Sequence, residues 1–493
     1  MEYILAIDQG TTGSRAVVYD KYGKKIAASY HEFKQYFPRP GWVEHNPREI
    51  WQSVNNSIQE VLKDIPAASI AAIGITNQRE TTIVWDKDTG KPVYNAIVWQ
   101  CRRTAAACDA LKNKRGEGEF FRSRTGLPID AYFSATKLAW ILKNVPGALP
   151  KAKKGKLLFG TTDSWVLWQL TGAMVHATDY TNAGRTMLFN INKLEWDKDI
   201  LGKFNIPSLI LPRALPSSGI FGVSAKIGRL GQGIPISGIA GDQQAALFGQ
   251  ACFAPGTLKN TYGTGAFMLL NTGKNRPVSK YGLITTLACG PQAEPVYALE
   301  GSIFIAGAAI QWLRDGLKIL DKASQSQDLA LALKDNEGVY FVPALTGLGA
   351  PYWDQNARGL INGITRGTTR QHLARAALEA MCYQTMDVMT AMKKDSGLSI
   401  KDLKIDGGAS ANDFLCQFQA DISGVNVLRP RVIETTSLGA AYLAGLAVGY
   451  WKNTGEIKKC WRLDRVFKPK MQRAQARKFY EGWQGAVAKT LTI

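Results

Sequence analysis

Two stretches of this chain place hydroxyls and glycines between apolar runs, and the first also carries a carboxylate. LAIDQGTTGSRAVVYD (5–20) puts Asp8, two glycines and three hydroxyl residues between two runs that are typical of strands. Asp, Gly and Thr are ordinary turn residues, so a simple hairpin is one interpretation. The other is a phosphate-binding turn, because such a turn offers N–H and O–H donors without bulky side chains. Both interpretations stay open on this stretch alone.

The same plan returns in the second half of the chain. LKNTYGTGAFMLLN (258–271) again reads as an apolar strand, a Gly-Thr-Gly turn and an apolar strand, about 250 residues later. Two hairpins of one design predict two related domains facing one cleft. Two such turns could bind opposite sides of one polyphosphate.

Two further stretches carry polar residues between a predicted strand and a predicted helix. In ISGIAGDQQAALFGQ (236–250), Asp242 lies where open α/β sheets bind their ligands, although a plain helix N-cap is the alternative. In LKIDGGASANDFLCQFQADISG (403–424), Gly407 and Gly408 allow a ligand to approach the backbone, with Asn412 at the rim. Close strand–helix packing would also require these glycines.

Other catalytic motifs are missing from the sequence. It contains no GxxxxGK[ST], no GxGxxG after a predicted strand and no GxSxG, and its four histidines lack metal-ligand spacing. The remaining acids, hydroxyls and glycines are the residue types that position Mg²⁺ and phosphate.

The elements that must position these residues alternate between strand-like and helical segments, which predicts an α/β fold of two or more domains. The segment 368–394 predicts a long amphipathic helix with a Thr368/Gln371 capping box. The segment 437–449, SLGAAYLAGLAVG, predicts a helix of small residues suited to close packing and ended by Gly449.

Composition limits the class of protein. No apolar run is long enough for a membrane span, and the seven scattered cysteines fit reduced thiols in a cytoplasmic protein. The formal charge of +20 raises the alternative of a nucleic-acid partner, but no nucleic-acid motif accompanies it. A basic cleft that attracts phosphates is the simpler interpretation.

Jointly these motifs resemble the sugar and polyol kinases of the FGGY family, which have the actin-like ATPase fold. DQGTTGSRA, the hairpin at 261–267, AGDQQAALFGQ and DGGASAN are all similar to that family, and the similarity covers nearly the whole chain. YFSATKLAW (132–140) and the segment 407–427 resemble its two signature regions. GITNQRETTIVWD and YNAIVWQCRRT resemble the members that phosphorylate glycerol.

The resemblance implies an α/β fold with two RNase-H-like domains, 1–250 and 251–493, flanking a nucleotide cleft. It implies ATP-dependent phosphorylation of glycerol to sn-glycerol 3-phosphate with Mg²⁺, in a cytoplasmic homo-oligomer (dimer or tetramer). Two alternatives remain: a related kinase of another polyol or sugar, and a more remote actin-like ATP-driven switch. The pair Arg79-Glu80 with Trp99 argues against the switch, which needs no triol pocket.

Position by position, the resemblance implies that the nucleotide's phosphates contact Thr11, Thr12, Gly13 and Arg15. It implies that the rest of the nucleotide contacts Thr264, Gly307, Gln311, Gly408 and Asn412. It implies that glycerol contacts Arg79, Glu80, Tyr132, Asp242 and Gln243, with Trp99 and Phe267 as an apolar wall. Asp242 is then the expected general base and a candidate Mg²⁺ ligand, Asp8 faces Mg²⁺ through water, and Arg15 balances the developing charge.

Overall fold

In the computed structural model, which describes residues 2–492, the chain divides into two units that interleave along the sequence. The first unit comprises the chain up to Phe253 with Thr285–Tyr297 and Thr436–Cys460, and the second comprises Ala254–Ile284, Ala298–Thr435 and the chain from Trp461 onward. The segments 285–297 and 436–460, which the predicted division assigns to the C-terminal domain, thus lie in the first unit.

The strands before residue 254 are β1 (Tyr3–Gln9), β2 (Gly13–Tyr19), β3 (Lys25–Glu32), β4 (Glu44–His45), β5 (Ile70–Asn77), β6 (Ile83–Asp86), β7 (Ala96–Ile97), β8 (Leu157–Gly160), β9 (Ala177–Asp179), β10 (Phe189–Asn190), β11 (Glu195–Trp196), β12 (Arg213–Leu215), β13 (Ser218–Val223) and β14 (Pro235–Gly241). The helices there are α1 (Pro47–Val61), α2 (Ala105–Lys112), α3 (Glu117–Thr125), α4 (Ser134–Asn144), α5 (Ala148–Lys153), α6 (Thr162–Leu170), α7 (Tyr180–Ala183), α8 (Lys198–Phe204) and α9 (Asp242–Gly249).

The later strands are β15 (Leu258–Tyr262), β16 (Ala266–Gly273), β17 (Ile284–Cys289), β18 (Pro295–Ile303), β19 (Tyr340–Val342), β20 (Leu360–Asn362), β21 (Asp402–Asp406), β22 (Asn426–Pro430) and β23 (Leu463–Phe467). The later helices are α10 (Gly307–Gln311), α11 (Gln325–Leu331), α12 (Arg370–Ser396), α13 (Asp413–Ser423), α14 (Thr435–Ala447), α15 (Thr454–Cys460) and α16 (Arg473–Ala488).

The main sheet of the first unit has the strand order β13-β14-β5-β1-β2-β3. Its central strands β1, β5 and β14 are parallel, while β2 and β13 run antiparallel to their neighbours. The central strand β1 is apolar and buried from Ile4 to Ile7, as expected for a sheet covered on both faces. Since the three parallel strands point the same way, their carboxyl ends meet at one edge of the sheet, where α/β folds bind ligands.

The second unit repeats this pairing plan. There β15 is antiparallel to β16 and parallel to β21, β21 is parallel to β22, and β22 is antiparallel to β23. The first unit has the same order of strand pairs: β2 is antiparallel to β1, β1 is parallel to β5, β5 is parallel to β14, and β14 is antiparallel to β13. The predicted relationship between the two hairpins therefore extends to the sheets that contain them.

The two predicted helices are present with shifted ends. The long helix runs from Arg370 to Ser396, and its capping box uses Thr369 and His372 rather than Thr368 and Gln371. The predicted box differs by one residue because Gln is the usual N3 partner, whereas here the imidazole of His372 accepts from the backbone of Thr369. Among residues 2–492, no helix combines the length and hydropathy needed to span a membrane.

The helix of small residues, α14, packs directly against the strands that carry the candidate site. A Cβ on Gly74 of β5 would collide with the carbonyl of Ala440, and one on Gly238 of β14 would collide with the backbone of Ala444. On the helix itself, a Cβ on Gly439 would collide with the carbonyl of Ala245 in α9. Backbone contact at this distance requires glycine on one side of each pair.

We therefore expect Gly439→Ala to destabilise the protein by about 1–3 kcal/mol, because the new methyl group must displace the backbone of α9. Gly485→Ala is the matched control, since Gly485 lies in α16 with open space around its α carbon. That control should be neutral or stabilising by up to about 1 kcal/mol. Thermal denaturation of both variants checks this, and equal stability of the two would contradict the packing described here.

Candidate active site

The first hairpin predicted from the sequence is present. Strands β1 and β2 are joined by a tight turn in which the amide of Gly10 donates to the carbonyl of Gly13 at 2.9 Å. Asp8 lies directly opposite Arg15 in the β1–β2 register. Asp8 is partly exposed and Thr12 is exposed, which leaves the turn accessible to a ligand. The simple-turn interpretation is thus correct as local structure, and it does not exclude phosphate binding.

A buried polar network supports the turn from behind. The Gln35 amide donates to the carbonyl of Thr11 at 3.0 Å, and the Gln78 amide donates to the carbonyl of Gly10 at 3.2 Å. His45 lies between them, with Nε2 at 2.6 Å from Gln35 Oε1 and Nδ1 at 3.4 Å from Gln78 Nε2. Burial lowers the pKa of His45 to about 4, so the ring is neutral near pH 7. A neutral ring that donates from Nε2 and accepts at Nδ1 satisfies both glutamines.

Three charged side chains meet where β5 and β14 end. Arg79 Nε lies 3.0 Å from Asp242 Oδ1 and 3.9 Å from Glu80 Oε1. The side chains of Arg79 and Glu80 are each 2% exposed, whereas that of Asp242 is 31% exposed. The cluster therefore offers one accessible carboxylate held by a buried guanidinium.

The position of Asp242 differs from the N-cap alternative. Gly241 is the N-cap of α9 and Asp242 is its first helical residue. The carboxylate accepts from the amide of Gln243 at 2.7 Å through the same Oδ1 that Arg79 contacts. A carboxylate at the first turn of a helix is also favoured by the helix dipole.

Trp99 joins the turn to the charged cluster. Its indole Nε1 donates to Thr11 Oγ1 at 3.1 Å, and its ring meets that of Tyr132 edge to face at 5.6 Å between centroids. The amide of Tyr132 donates to Asp130 Oδ1 at 2.8 Å, which fixes the start of the segment before α4. Both rings are only partly buried and so present apolar surface to a ligand.

Two buried cations near Glu80 were missed by the sequence analysis. Arg185 Nε lies 2.6 Å from Glu80 Oε1, and Lys137 Nζ lies 3.5 Å from the Glu80 carbonyl. Lys137 falls on the same helical face as Leu138 and Ile141, and a lysine among apolar residues was the available signal. Arg185 lies in a polar segment, NAGRTM, that gives no sign of burial.

A second buried network fixes the ends of the strands themselves. The amide of Gly241 donates to Thr181 Oγ1 at 2.9 Å, and the hydroxyl of Thr181 donates to Asp179 at 2.6 Å. Asn77, at the end of β5, exchanges amide hydrogen bonds of 3.0 Å with Asn182. Burial raises the pKa of Asp179 from its ordinary value, with the surrounding hydroxyls opposing that shift.

Asp163 closes this network. It accepts from Thr178 Oγ1 at 2.6 Å and also from the hydroxyl of Thr161, and the Asn77 amide lies 3.5 Å away. Burial raises its pKa to about 7, the neighbouring hydroxyls opposing the shift. The carboxyl group therefore titrates near neutral pH rather than in acid.

The remaining candidate residues lie in the second unit, near the end of β15. The turn after β15 contains Thr264, whose carbonyl accepts from the amides of Ala306 and Ala308 at 2.9 and 3.0 Å. The amide of Gly307 donates to the carbonyl of Gly263 at 3.0 Å, and a Cβ on Gly307 would lie 2.6 Å from that oxygen. The turn and the short helix α10, which Gln311 ends, thus form one connected backbone surface.

Gly408 and Asn412 follow β21, the parallel neighbour of β15. Gly408 has open space around its α carbon, and Gly407, with φ of 82°, packs against the backbone of Tyr262 at the end of β15. Asn412 is the N-cap of α13 and accepts from the amide of Leu415 at 3.0 Å, a structural role in addition to the predicted one. Phe267 lies on β16, partly buried.

Known proteins resemble this chain along its whole length. Residues 3–249 match the N-terminal domain of the FGGY family of carbohydrate kinases, and residues 258–448 match its C-terminal domain. A protein of Thermotoga maritima named glycerol kinase 2 is 60% identical over 493 residues, covering 100% of this chain and 99% of that protein.

Solved structures give the same result. The crystal structure of Plasmodium falciparum glycerol kinase with ADP has a TM-score of 0.92 and 37% identity, covering 100% of this chain and 99% of that one. Gluconate kinase from Lactobacillus acidophilus, at 23% identity, has a TM-score of 0.87 and covers 99% of this chain and 97% of its own, which bears on the fold alone. The predicted fold class, α/β with two domains of the actin-like ATPase type, is confirmed.

The raised pKa of Asp163 predicts a pH-dependent stability difference. Its folded-state pKa of about 7 exceeds the ordinary value of 3.8, so folding binds a proton between these pH values. The contribution of this carboxyl to the free energy of unfolding is therefore present at low pH and is lost as pH rises from about 4 to 7. Asp163→Asn removes the titration, so the stability of the wild type relative to this variant should fall across that range and level off above it.

Thermal denaturation of the two proteins at intervals from pH 5 to pH 8 measures this difference. A constant difference in melting temperature over that range would contradict the assignment of a titrating Asp163.

Proposed function

The chain belongs to the FGGY family of carbohydrate kinases, and we propose that it transfers the γ-phosphoryl group of ATP to glycerol, giving sn-glycerol 3-phosphate and ADP. The observation that carries this function is the meeting of Arg79, Glu80 and Asp242 at adjacent strand ends. A small triol offers three hydroxyls and little apolar surface, so its selection needs several convergent hydrogen bonds. A buried guanidinium between two carboxylates provides both donors and acceptors for such a molecule.

The proposed glycerol ligands are the polar groups of this cluster and its neighbours: Arg79, Glu80, Tyr132, Asp242 and Gln243. We assign the apolar wall to Trp99 and Phe267. Support for Trp99 comes from its partly exposed ring and its edge-to-face contact with Tyr132. Its bond to Thr11 also connects the proposed glycerol wall to the proposed phosphate turn.

Asp242 is proposed to accept the proton of the attacking hydroxyl. As that proton moves to the carboxylate, the glycerol oxygen forms a bond to the γ-phosphorus, and the bond from that phosphorus to the bridging oxygen breaks. The electron pair leaves with ADP. Arg79 and the amide of Gln243 both contact Oδ1 of Asp242, and the partial exposure of the side chain allows Oδ2 to face the substrate. Holding the base in one orientation is a requirement of general base catalysis.

The phosphates of ATP are assigned to the first hairpin turn, with Thr11, Thr12, Gly13 and Arg15 as their contacts. The exposed hydroxyl of Thr12 and the glycine backbone provide donors, and Arg15 supplies positive charge next to Asp8. The remainder of the nucleotide is assigned to Thr264, Gly307, Gln311, Gly408 and Asn412 in the second unit. Their support is the connected backbone surface and the open space at Gly408.

The carboxylates present fit a magnesium ion of the kind that accompanies ATP. Within residues 2–492 no three or more His, Cys, Asp or Glu side chains are arranged to hold a metal ion. Mg²⁺ in phosphoryl-transfer sites keeps several waters and needs only one or two carboxylates besides the phosphates. Asp8, partly exposed at the end of β1, is the proposed ligand through water, and Asp242 is the second candidate. When bound, the ion neutralises phosphate charge.

We propose a cytoplasmic location because the seven cysteines are all free and six of them are buried. Structural thiols of this kind are typical of a reducing compartment. A homo-oligomeric state, dimer or tetramer, remains a proposal that rests on the family alone.

The proposed base is tested by Asp242→Asn. The amide keeps the shape of the side chain but cannot accept the hydroxyl proton, so we expect turnover to fall by about 10²–10⁴-fold. ATP binding should be retained, because the residues assigned to the nucleotide are unchanged. Steady-state ADP production gives turnover, and titration with ATP gives its affinity.

The matched control is Asp64→Asn, which alters an exposed carboxylate after α1. It should leave both turnover and the affinity for ATP unchanged. Near-normal turnover in Asp242→Asn would show that another group takes the proton.

A further inference from the structure

Lys137 is a fully buried lysine whose three hydrogen bonds all end on backbone carbonyls. Its ammonium donates to the carbonyls of Tyr132 and Phe133, the latter at 3.1 Å, and to that of Glu80 at 3.5 Å. Its relative exposure is 0%. Lysine is almost never fully buried unless its charge is paired or its donors are used, so this arrangement needs a reason.

The geometry of Glu80 supplies that reason. Its φ of 61° lies in the left-handed region, which residues with a side chain rarely adopt. Local preference therefore does not hold this backbone, and neighbouring groups must do so. The Glu80 carbonyl accepts from Ser134 Oγ at 3.0 Å and Thr82 Oγ1 at 3.2 Å as well as from Lys137.

Lys137 connects two segments that are distant in sequence. Glu80 follows β5, whereas Tyr132 and Phe133 precede α4, the helix that carries Lys137. The carboxylate of Glu80 is held separately by Arg185 Nε at 2.6 Å. The ammonium therefore links the backbones of Glu80 and Tyr132 by hydrogen bonds, whereas Arg185 is an ion-pair partner of the Glu80 side chain.

We propose that Lys137 is a positioning residue that sets the affinity for glycerol by fixing the backbones of Glu80 and Tyr132 relative to each other. The inference rests on the function proposed above, in which both residues contact glycerol. An ammonium has three donors, one for each carbonyl, and a neutral amine has only two. Loss of the third bond removes a donor from one of these carbonyls and weakens the link between the two segments.

The protonation state of Lys137 supplies an independent readout. Burial lowers its pKa to about 8, partly offset by the Glu80 and Asp130 carboxylates and by the Cys101 and Cys108 thiols that face it. Lys137 is therefore mostly protonated below pH 8, and it loses its third proton as the pH rises through that value. Affinity for glycerol should fall over the same range.

The experiment compares Lys137→Met with Lys143→Met, which alters an exposed lysine in the last turn of the same helix. KM for glycerol, KM for ATP and kcat are measured from pH 6.5 to pH 9.5. At pH 7 we expect Lys137→Met to raise KM for glycerol about 10- to 100-fold, with KM for ATP changed less than about twofold. Lys143→Met should match the wild type.

A positioning role differs from a merely structural one in these measurements. A KM for glycerol in Lys137→Met that stays within about twofold of the wild type would overturn the proposal. An equal rise in both KM values would also overturn it, because the damage would then not be specific to glycerol.

The pH profile of the wild type keeps the proposal falsifiable if Lys137→Met fails to fold. KM for glycerol should rise as pH passes through about 8, and a flat profile from pH 7 to pH 9.5 would overturn the proposal. Ser134→Ala, which removes one of the three donors to the Glu80 carbonyl and leaves Thr82 and Lys137, should steepen the rise. Absence of glycerol-dependent ADP production in the wild type would instead contradict the proposed function, so the two failures are distinguishable.

Discussion

The contact between Arg79 and Asp242 depends on two parallel strands that end side by side. In the first unit Gly241 of β14 is in register with Asn77 of β5, so the residues that follow each strand emerge at the same level. Arg79 is the second residue after β5 and Asp242 the first after β14, and their side chains meet at 3.0 Å. A one-residue slip in this pairing would turn every side chain to the opposite face and separate them. The register is in turn maintained by the amide and hydroxyl network beneath the strands and by the backbone contacts of α14 behind them.

Burial of charge is the second constraint on the site. Glu80 and Arg79 are almost completely buried, and a buried charge is tolerated only with partners. Two guanidiniums, from Arg79 and Arg185, lie near Oε1 of Glu80, and the Glu80 backbone is held by Lys137 and Ser134. Such a site is organised before any ligand arrives, so little reorganisation is needed when charge develops during phosphoryl transfer. The accessible carboxylate of Asp242 is the exception, which agrees with the proposal that this group meets the substrate.

The sequence predicted those elements whose structure depends on residues close together along the chain. The hairpin at Asp8, the strand-to-helix junction at Asp242 and the close-packed helix after 435 each follow from residue types within one short segment. Lys137 and Arg185 could not be assigned in this way, because their roles depend on Glu80, which is more than 50 residues away in each case. The assignment of 285–297 and 436–460 to the first unit is also a tertiary property, since nothing in the sequence of those segments indicates which unit they pack against. The assignments of individual residues to glycerol and nucleotide remain predictions.

ADP release from Mg²⁺-ATP by the purified protein, with and without glycerol, tests the central claim most directly. We expect release to depend strongly on glycerol, because Asp242 is proposed to take a proton from a polyol that contacts Arg79 and Glu80. Slow release that is unaffected by glycerol would contradict it and would mean that this buried cluster does not form a glycerol site.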